Sequence, residues 1–278
     1  MSRIRLPDGW EPDLDRPVSA PRAAATVALL RDVPGDGSQT YLLRRQPTMA
    51  FAPGMSVFPG GSVQAGDDEP LAGWVGPSPE QWGERLRCDA PTARSLLVAA
   101  IRETFEESGI LLAGPDAQRT ATGLDAEEFT QVRLDLDAGR RSLADVLAEH
   151  GWVVRTDLLG AWAHWITPAF EPKRFDTRFF VAAVPEGQQV GSLPGEADRG
   201  GWLSPEAALA HVAAGEVVML PPTIAVCRDL RGVPAAEAVE RSGARVVECI
   251  EPRLVRRGGA WYIENPLEDE PVTNEVQR

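Results

Sequence analysis

The chain has 278 residues, 28 basic and 41 acidic, giving a formal net charge of −13, with 43% hydrophobic and 25% charged residues. These are globular values at a length suited to one large domain or two small ones, and they exclude a disordered, collagen-like or membrane-embedded chain. The acidic balance excludes a nucleic-acid backbone as the main partner, because phosphates need clustered cations.

Taken in order, residues 1–20 are rich in Pro and Asp and read as an irregular arm. Residues 23–30 form an apolar strand, 34–38 a turn cluster and 41–45 a second strand, which together predict a β-hairpin. Another short strand at 55–58 stops at Pro59-Gly60-Gly61, and residues 66–91 read as an inserted loop packed by Trp74 and Trp82. The clearest helix spans 92–108 and ends at Gly109. Its Leu97, Ala100, Ile101, Thr104 and Phe105 share one side, and Glu103, Glu106 and Glu107 share what reads as the solvent side. Helical patterns follow at 125–136 and 142–150, then strands at 161–166 and 175–184. Ser204-Pro205-Glu206 is a helix start, with serine as the cap and proline in the first turn. Helices at 222–230 and 235–242 precede β segments at 245–250 and 254–263, the latter broken at Gly258-Gly259. The expected organisation is one α/β domain over 21–264, with insertions at 68–91 and 123–150, a C-terminal extension at 233–264 and a disordered tail at 265–278.

The longest apolar runs, 23–30 and 96–101, are too short to span a bilayer. No secretory signal is visible at the start, Glu275-Val-Gln-Arg278 is no peroxisomal address, and Cys88, Cys227 and Cys249 are an odd, widely spaced set. A reduced, cytoplasmic protein without disulfide framework or membrane partner is expected. Of the basic residues only Lys173 is a lysine; with the abundant alanine this reflects a coding bias, so the arginine count is not itself a functional signal. The three histidines, His150, His164 and His211, are scattered, so a metal site must use carboxylates, favouring Mg²⁺ or Mn²⁺ over zinc.

The chemistry-bearing segment is Arg102-Glu-Thr-Phe-Glu-Glu-Ser-Gly-Ile110. Residues three and four apart are helical neighbours, so Glu103 sits beside both Glu106 and Glu107. One arginine, Arg102, cannot neutralise three acids. A divalent cation can, and a solvated acidic face is the competing reading.

The pattern Arg102-Glu-x-x-Glu-Glu-x-Gly-Ile110, with Phe58-Pro-Gly-Gly61 upstream, resembles the Nudix box. Asp67, six positions after Gly61, stands where the box has glutamate, and Thr104 replaces an apolar residue. The gap from Asp67 to Arg102 is 34 residues instead of seven, a 27-residue interruption. Phe51-Ala-Pro-Gly54, Trp165-Ile-Thr-Pro168, Arg174-Phe-Asp-Thr-Arg-Phe-Phe180 and Met219-Leu-Pro-Pro222 are similar to the Nudix motif 19 type, the coenzyme A diphosphatases, across roughly residues 22–232.

The resemblance implies a Nudix-type α/β/α sandwich around a mixed β-sheet. It implies Mg²⁺- or Mn²⁺-dependent hydrolysis of a diphosphate in a small-molecule nucleotide, with coenzyme A or acyl-coenzyme A leading. ADP-ribose or a nucleotide sugar is the alternative, and a non-catalytic nucleotide-binding module a further one. A homodimer is an analogy to the family. Implied metal ligands are Glu103, Glu106, Glu107 and the Gly60 carbonyl, with Arg102 orienting the carboxylates. Glu196, six residues before Trp202, is the implied loop acid, as ligand or general base, and Asp198 its rival. Arg44, Arg45 and Arg174 are candidate substrate-binding residues, each weighed against a solvated or structurally paired arginine. His164, the tryptophans Trp162, Trp165 and Trp202, and Cys227 read as packed residues.

Overall fold

Along the second strand, Ala25, Val27 and Leu29 bury themselves in one apolar cluster while Ala28 and Leu30 enter another. Alternate side chains of a strand point to opposite faces, so a sheet apolar on both faces must be covered on both. The structure is a computed structural model. It describes every residue except 1, 8, 14, 36, 47–51, 192–196 and 266–278. The tail beyond Asn265 therefore lies outside the described residues, while Asn265 itself closes a strand.

The elements in chain order are β1 (Ser2–Arg5), β2 (Arg22–Val33), β3 (Gly37–Arg45), β4 (Ser56–Val57), β5 (Gly60–Ser62), β6 (Trp74–Val75), α1 (Pro79–Leu86), α2 (Ala90–Ser108) and β7 (Ala113–Gly114). Then come α3 (Glu127–Asp137), α4 (Leu143–His150), β8 (Val153–Arg155), β9 (Gly160–Ile166), β10 (Phe175–Ala183) and β11 (Ala197–Leu203). The chain continues with α5 (Pro205–Ala213), α6 (Pro221–Asp229), α7 (Ala235–Ser242), β12 (Cys249–Ile250), β13 (Arg253–Arg257) and β14 (Ala260–Asn265).

The main sheet has the order β11-β3-β2-β10-β9-β12, with β4 on β3 and β5 on β2. β10 runs parallel to β2 and β12 to β9, while the other pairs are antiparallel, so the sheet is mixed. Helices α1 and α2 cover one face through Trp82, Leu86, Leu97, Ile101 and Phe105. Helices α5, α6 and α7 cover the other through Ala208, Ile224, Cys227 and Ala238. This is the expected α/β/α sandwich. Among the described residues no helix is long and apolar enough to cross a membrane.

Four expectations are corrected. The N-terminal arm is not wholly irregular, because β1 pairs with β14, which in turn pairs with β13 in a small sheet. Gly60-Gly61, where the preceding strand was expected to stop, opens a strand of its own, β5, laid against β2. The insertion is not a loop: Asp67 lies in a 3-10 turn, β6 pairs with β8, and Ser78 caps α1 by accepting from the Gln81 amide. Of the β segment expected over 245–250, only β12 is a strand.

Trp82 joins the insertion to the core. It is fully buried and meets Phe180 edge-on at 6.1 Å. Trp82→Ala is expected to cost about 3–5 kcal/mol, read from the urea midpoint, while Val246→Ala at an exposed position stays within about 0.5 kcal/mol.

Candidate active site

The site is organised by Arg102, which is 3% exposed. Its Nε and Nη2 donate to the two Asp67 carboxylate oxygens at 2.8 and 3.1 Å. Nη1 donates to Glu103 at 2.9 Å and to Glu106 at 3.0 Å, and Nη2 also donates to the Ser62 carbonyl at 3.0 Å. All five guanidinium donors are therefore used. Asp67 sits before the interruption and Arg102 after it, so this ion pair closes the two halves of the box in space. Burial works against the Arg102 charge, but the Asp67 hydrogen bonds and the charges of Glu103 and Glu106 outweigh it and raise its pKa.

The glutamates are not on a solvent face. Glu103 and Glu106 are buried and Glu107 half-buried, because β5 lies against this part of α2. Glu107 accepts the Gly60 amide at 2.8 Å. A Cβ on Gly61 would lie 2.3 Å from a Glu103 oxygen, and one on Gly60 2.5 Å from the Ala25 carbonyl oxygen. Only residues without a side chain allow this approach. What is seen of Gly60 is its N–H, donated to Glu107, together with its place in the cavity wall.

A cavity of about 1100 Å³ opens over this patch. Glu103, Glu106, Glu107 and Asp137 line its acidic side, and Trp165, Phe170, Phe175, Phe179, Pro221 and Pro222 line much of the rest. Burial, and then the Glu103 charge, push the Glu106 carboxyl up to about 8 despite Arg102, with Asp137 adding to the rise. The rise is set first by loss of water around the carboxyl and only then by the neighbouring negative charge. The donor set is all oxygen and suits a hard divalent cation. Among the described residues no three such side chains are already gathered at ligating distance, so an ion would draw the carboxylates from their present partners.

The other expected residues divide. Arg45 lines the cavity, whereas Arg44 is exposed outside it. Arg174 takes up the structurally paired arrangement that was weighed against substrate binding: its buried guanidinium donates to the Thr167 and Ser19 carbonyls and to Glu251. Glu196 lies outside the described residues, as does the side chain of Asp198. His164 is buried and paired with Asp176 at 2.6 Å, Trp162 and Trp165 are buried, and Cys227 is buried with its thiol pushed up to about 12 by burial and then by the Glu206 charge. Sequence reasoning missed Asp137, and also Arg133, which donates to the Glu106 carbonyl at 3.0 and 2.8 Å at the end of α2. Nothing in their helical pattern separates them from solvated charges.

The raised Glu106 carboxyl has a consequence for stability. In the metal-free protein the folded state holds this proton more tightly than the unfolded chain, whose value is near 4.5. Its contribution is complete below that value and is lost as pH rises through about 8. The melting temperature in chelator is expected to fall over this window, and Glu106→Gln to flatten the fall. A parallel decline in wild type and variant removes Glu106 as its source.

Comparison with known proteins places this arrangement. The family model described as the NUDT19 Nudix domain matches residues 77–230. The chain is 27% identical over 262 residues to the acyl-coenzyme A diphosphatase NUDT19 of Homo sapiens, covering 82% of this chain and 67% of that protein. It is 24% identical over 219 residues to the Xenopus laevis protein of the same name, covering 66% and 57%. It thus spans roughly three-fifths to two-thirds of these relatives' length. A NUDIX hydrolase from Alicyclobacillus acidocaldarius, seen in a crystal structure, superposes with a TM-score of 0.65 at 29% identity, covering 83% of this chain and 99% of that one. With more than half of its residues matched by the family model, the chain belongs to the NUDT19 Nudix domain family and is a Nudix hydrolase.

Proposed function

We propose that this enzyme hydrolyses the diphosphate of coenzyme A or an acyl-coenzyme A with Mg²⁺ or Mn²⁺, residues 21–264 forming one catalytic domain in a cytoplasmic protein. The observation that carries the reading is the single cavity that joins the glutamate patch to a long aromatic and proline-rich lining. Its volume of about 1100 Å³ exceeds the usual small-molecule range of roughly 300–1,000 Å³ and suits a long, two-ended substrate. The name of the human and Xenopus relatives, acyl-coenzyme A diphosphatase, supports the same substrate.

Glu103, Glu106 and Glu107 would hold the cation, joined by the Gly60 carbonyl and Glu196. A bound divalent cation neutralises the diphosphate and lowers the pKa of a water. Arg102 fixes Glu103 and Glu106 against α2 and keeps their mutual repulsion bearable. Glu103, Glu107 or Glu196 would take the water proton. The apolar lining at Phe179, Pro221 and Pro222 would hold the pantetheine and acyl portion out of water.

The test is a panel of coenzyme A, acetyl-coenzyme A, ADP-ribose, NADH, UDP-glucose and a diadenosine polyphosphate with each metal, products identified by mass. Coenzyme A compounds are expected to give an adenosine bisphosphate and a phosphopantetheine at the highest kcat/KM. A higher value on ADP-ribose or UDP-glucose overturns the substrate assignment. Glu106→Gln and Glu107→Gln are each expected to lower kcat by about 100-fold or more while folding normally. Gly61→Ala is expected to lose a similar amount by displacing Glu103, checked by circular dichroism and turnover on the same sample.

A further inference from the structure

The cavity has a second charged quarter. Arg22, Ala24 and Thr26 alternate along β2 and all line the cavity, as the two-residue period of a strand requires. Thr26 is in register with Gly60, whose amide holds Glu107, so the acidic wall stands at the level of Thr26. Arg22 lies four residues back, about 13 Å along the strand. There it is in register with Phe175 of β10. Lys173 lies just before, its ammonium 5.6 Å from the Phe175 ring centroid, and it lines the same cavity.

These cations differ from their neighbours in being unspent. Among the described residues no carboxylate pairs with Arg22 or Lys173, and both side chains are exposed. Arg174 and Arg178, on either side of Phe175, are paired with Glu251 and Asp176. The acid on the Lys173 loop that shares the cavity is Glu171. The backbone beneath is firm: the Arg22 amide donates to the Arg174 carbonyl at 2.9 Å. The Arg174 guanidinium pins the loop to the Thr167 carbonyl at 2.9 Å, the Ser19 carbonyl at 2.8 Å and Glu251 at 2.6 Å. Arg174 thus holds the backbone on which both cations stand.

We propose that Arg22 and Lys173, beside the Phe175 ring, form a subsite for a phosphomonoester dianion on the nucleotide end of the substrate, separate from the diphosphate cleaved at the glutamates. The proposal rests on the coenzyme A reading, because coenzyme A carries a ribose 3′-phosphate in addition to its diphosphate and ADP-ribose does not. Two cations suit a dianion, and charge-assisted hydrogen bonds to phosphate are strong enough to select for it.

Two measurements test it. The ratio of kcat/KM for coenzyme A over its 3′-dephospho form is expected to be at least about 10-fold in the wild type, the size of one or two hydrogen bonds to a charged group. In the Arg22→Gln, Lys173→Gln double variant the ratio is expected to fall towards unity through KM, and Lys173→Arg is expected to keep most of it. An equal rate on both compounds in the wild type, or an unchanged ratio in the double variant, overturns the subsite. The second measurement needs no turnover. Lys173 is the sole lysine of the chain, so its acetylation by an amine-reactive ester can be followed by mass spectrometry. Adenosine 3′,5′-bisphosphate is expected to protect it better than 5′-AMP, and equal protection overturns the subsite whatever the enzyme hydrolyses. Selective protection without hydrolysis of either coenzyme overturns the coenzyme A reading and leaves the subsite standing.

Discussion

A single buried guanidinium holds this site together. Arg102 binds Asp67 from the segment before the insertion, the Ser62 carbonyl from β5, and Glu103 and Glu106 from its own helix. An unpaired charge at that depth costs several kcal/mol, so each partner is obligatory once the arginine is buried. The insertion can therefore be long without loosening the site, because its two ends are fixed by the same charge. Arg102 supplies one positive charge against the carboxylates of Asp67, Glu103 and Glu106.

The depth of that patch depends on absent side chains as much as on present ones. Gly60 and Gly61 let β5 lie against β2 on one side and against the Glu103 carboxylate on the other. The strand covers α2 where an amphipathic helix would face water. Asp89 caps the start of α2, Arg133 binds the Glu106 carbonyl near its end, and Gly109 closes it, so the helix that carries the glutamates is held at both ends.

Sequence periodicity found the long elements well. The hairpin of β2 and β3, helix α2 and helix α7 stand close to where the apolar spacing put them, because each has a buried face that repeats at its own period. Short pairings were harder. β1, β5 and β6 have too few residues to carry a period, and their strand character comes from partners far along the chain. The insertion looked like a loop because its Gly and Pro content masks a helix whose start is set by the Ser78 cap and whose Trp82 is buried against β10.

By itself the sequence determined which groups the site holds: three glutamates and an arginine at helical spacing, two glycines ahead of them, and no soft metal ligands in a cluster. Those are local facts, fixed by residue type and by the 3.6-residue turn. Only the tertiary structure decided the environment. It turned a face that reads as solvated into a buried one, spent Arg174 on structure, left Arg22 and Lys173 in the cavity without a carboxylate partner among the described residues, and brought Asp67 to Arg102 across the insertion. The reason is that burial and ion pairing depend on which distant segment arrives at a given surface, and sheet order, not spacing along the chain, sets that.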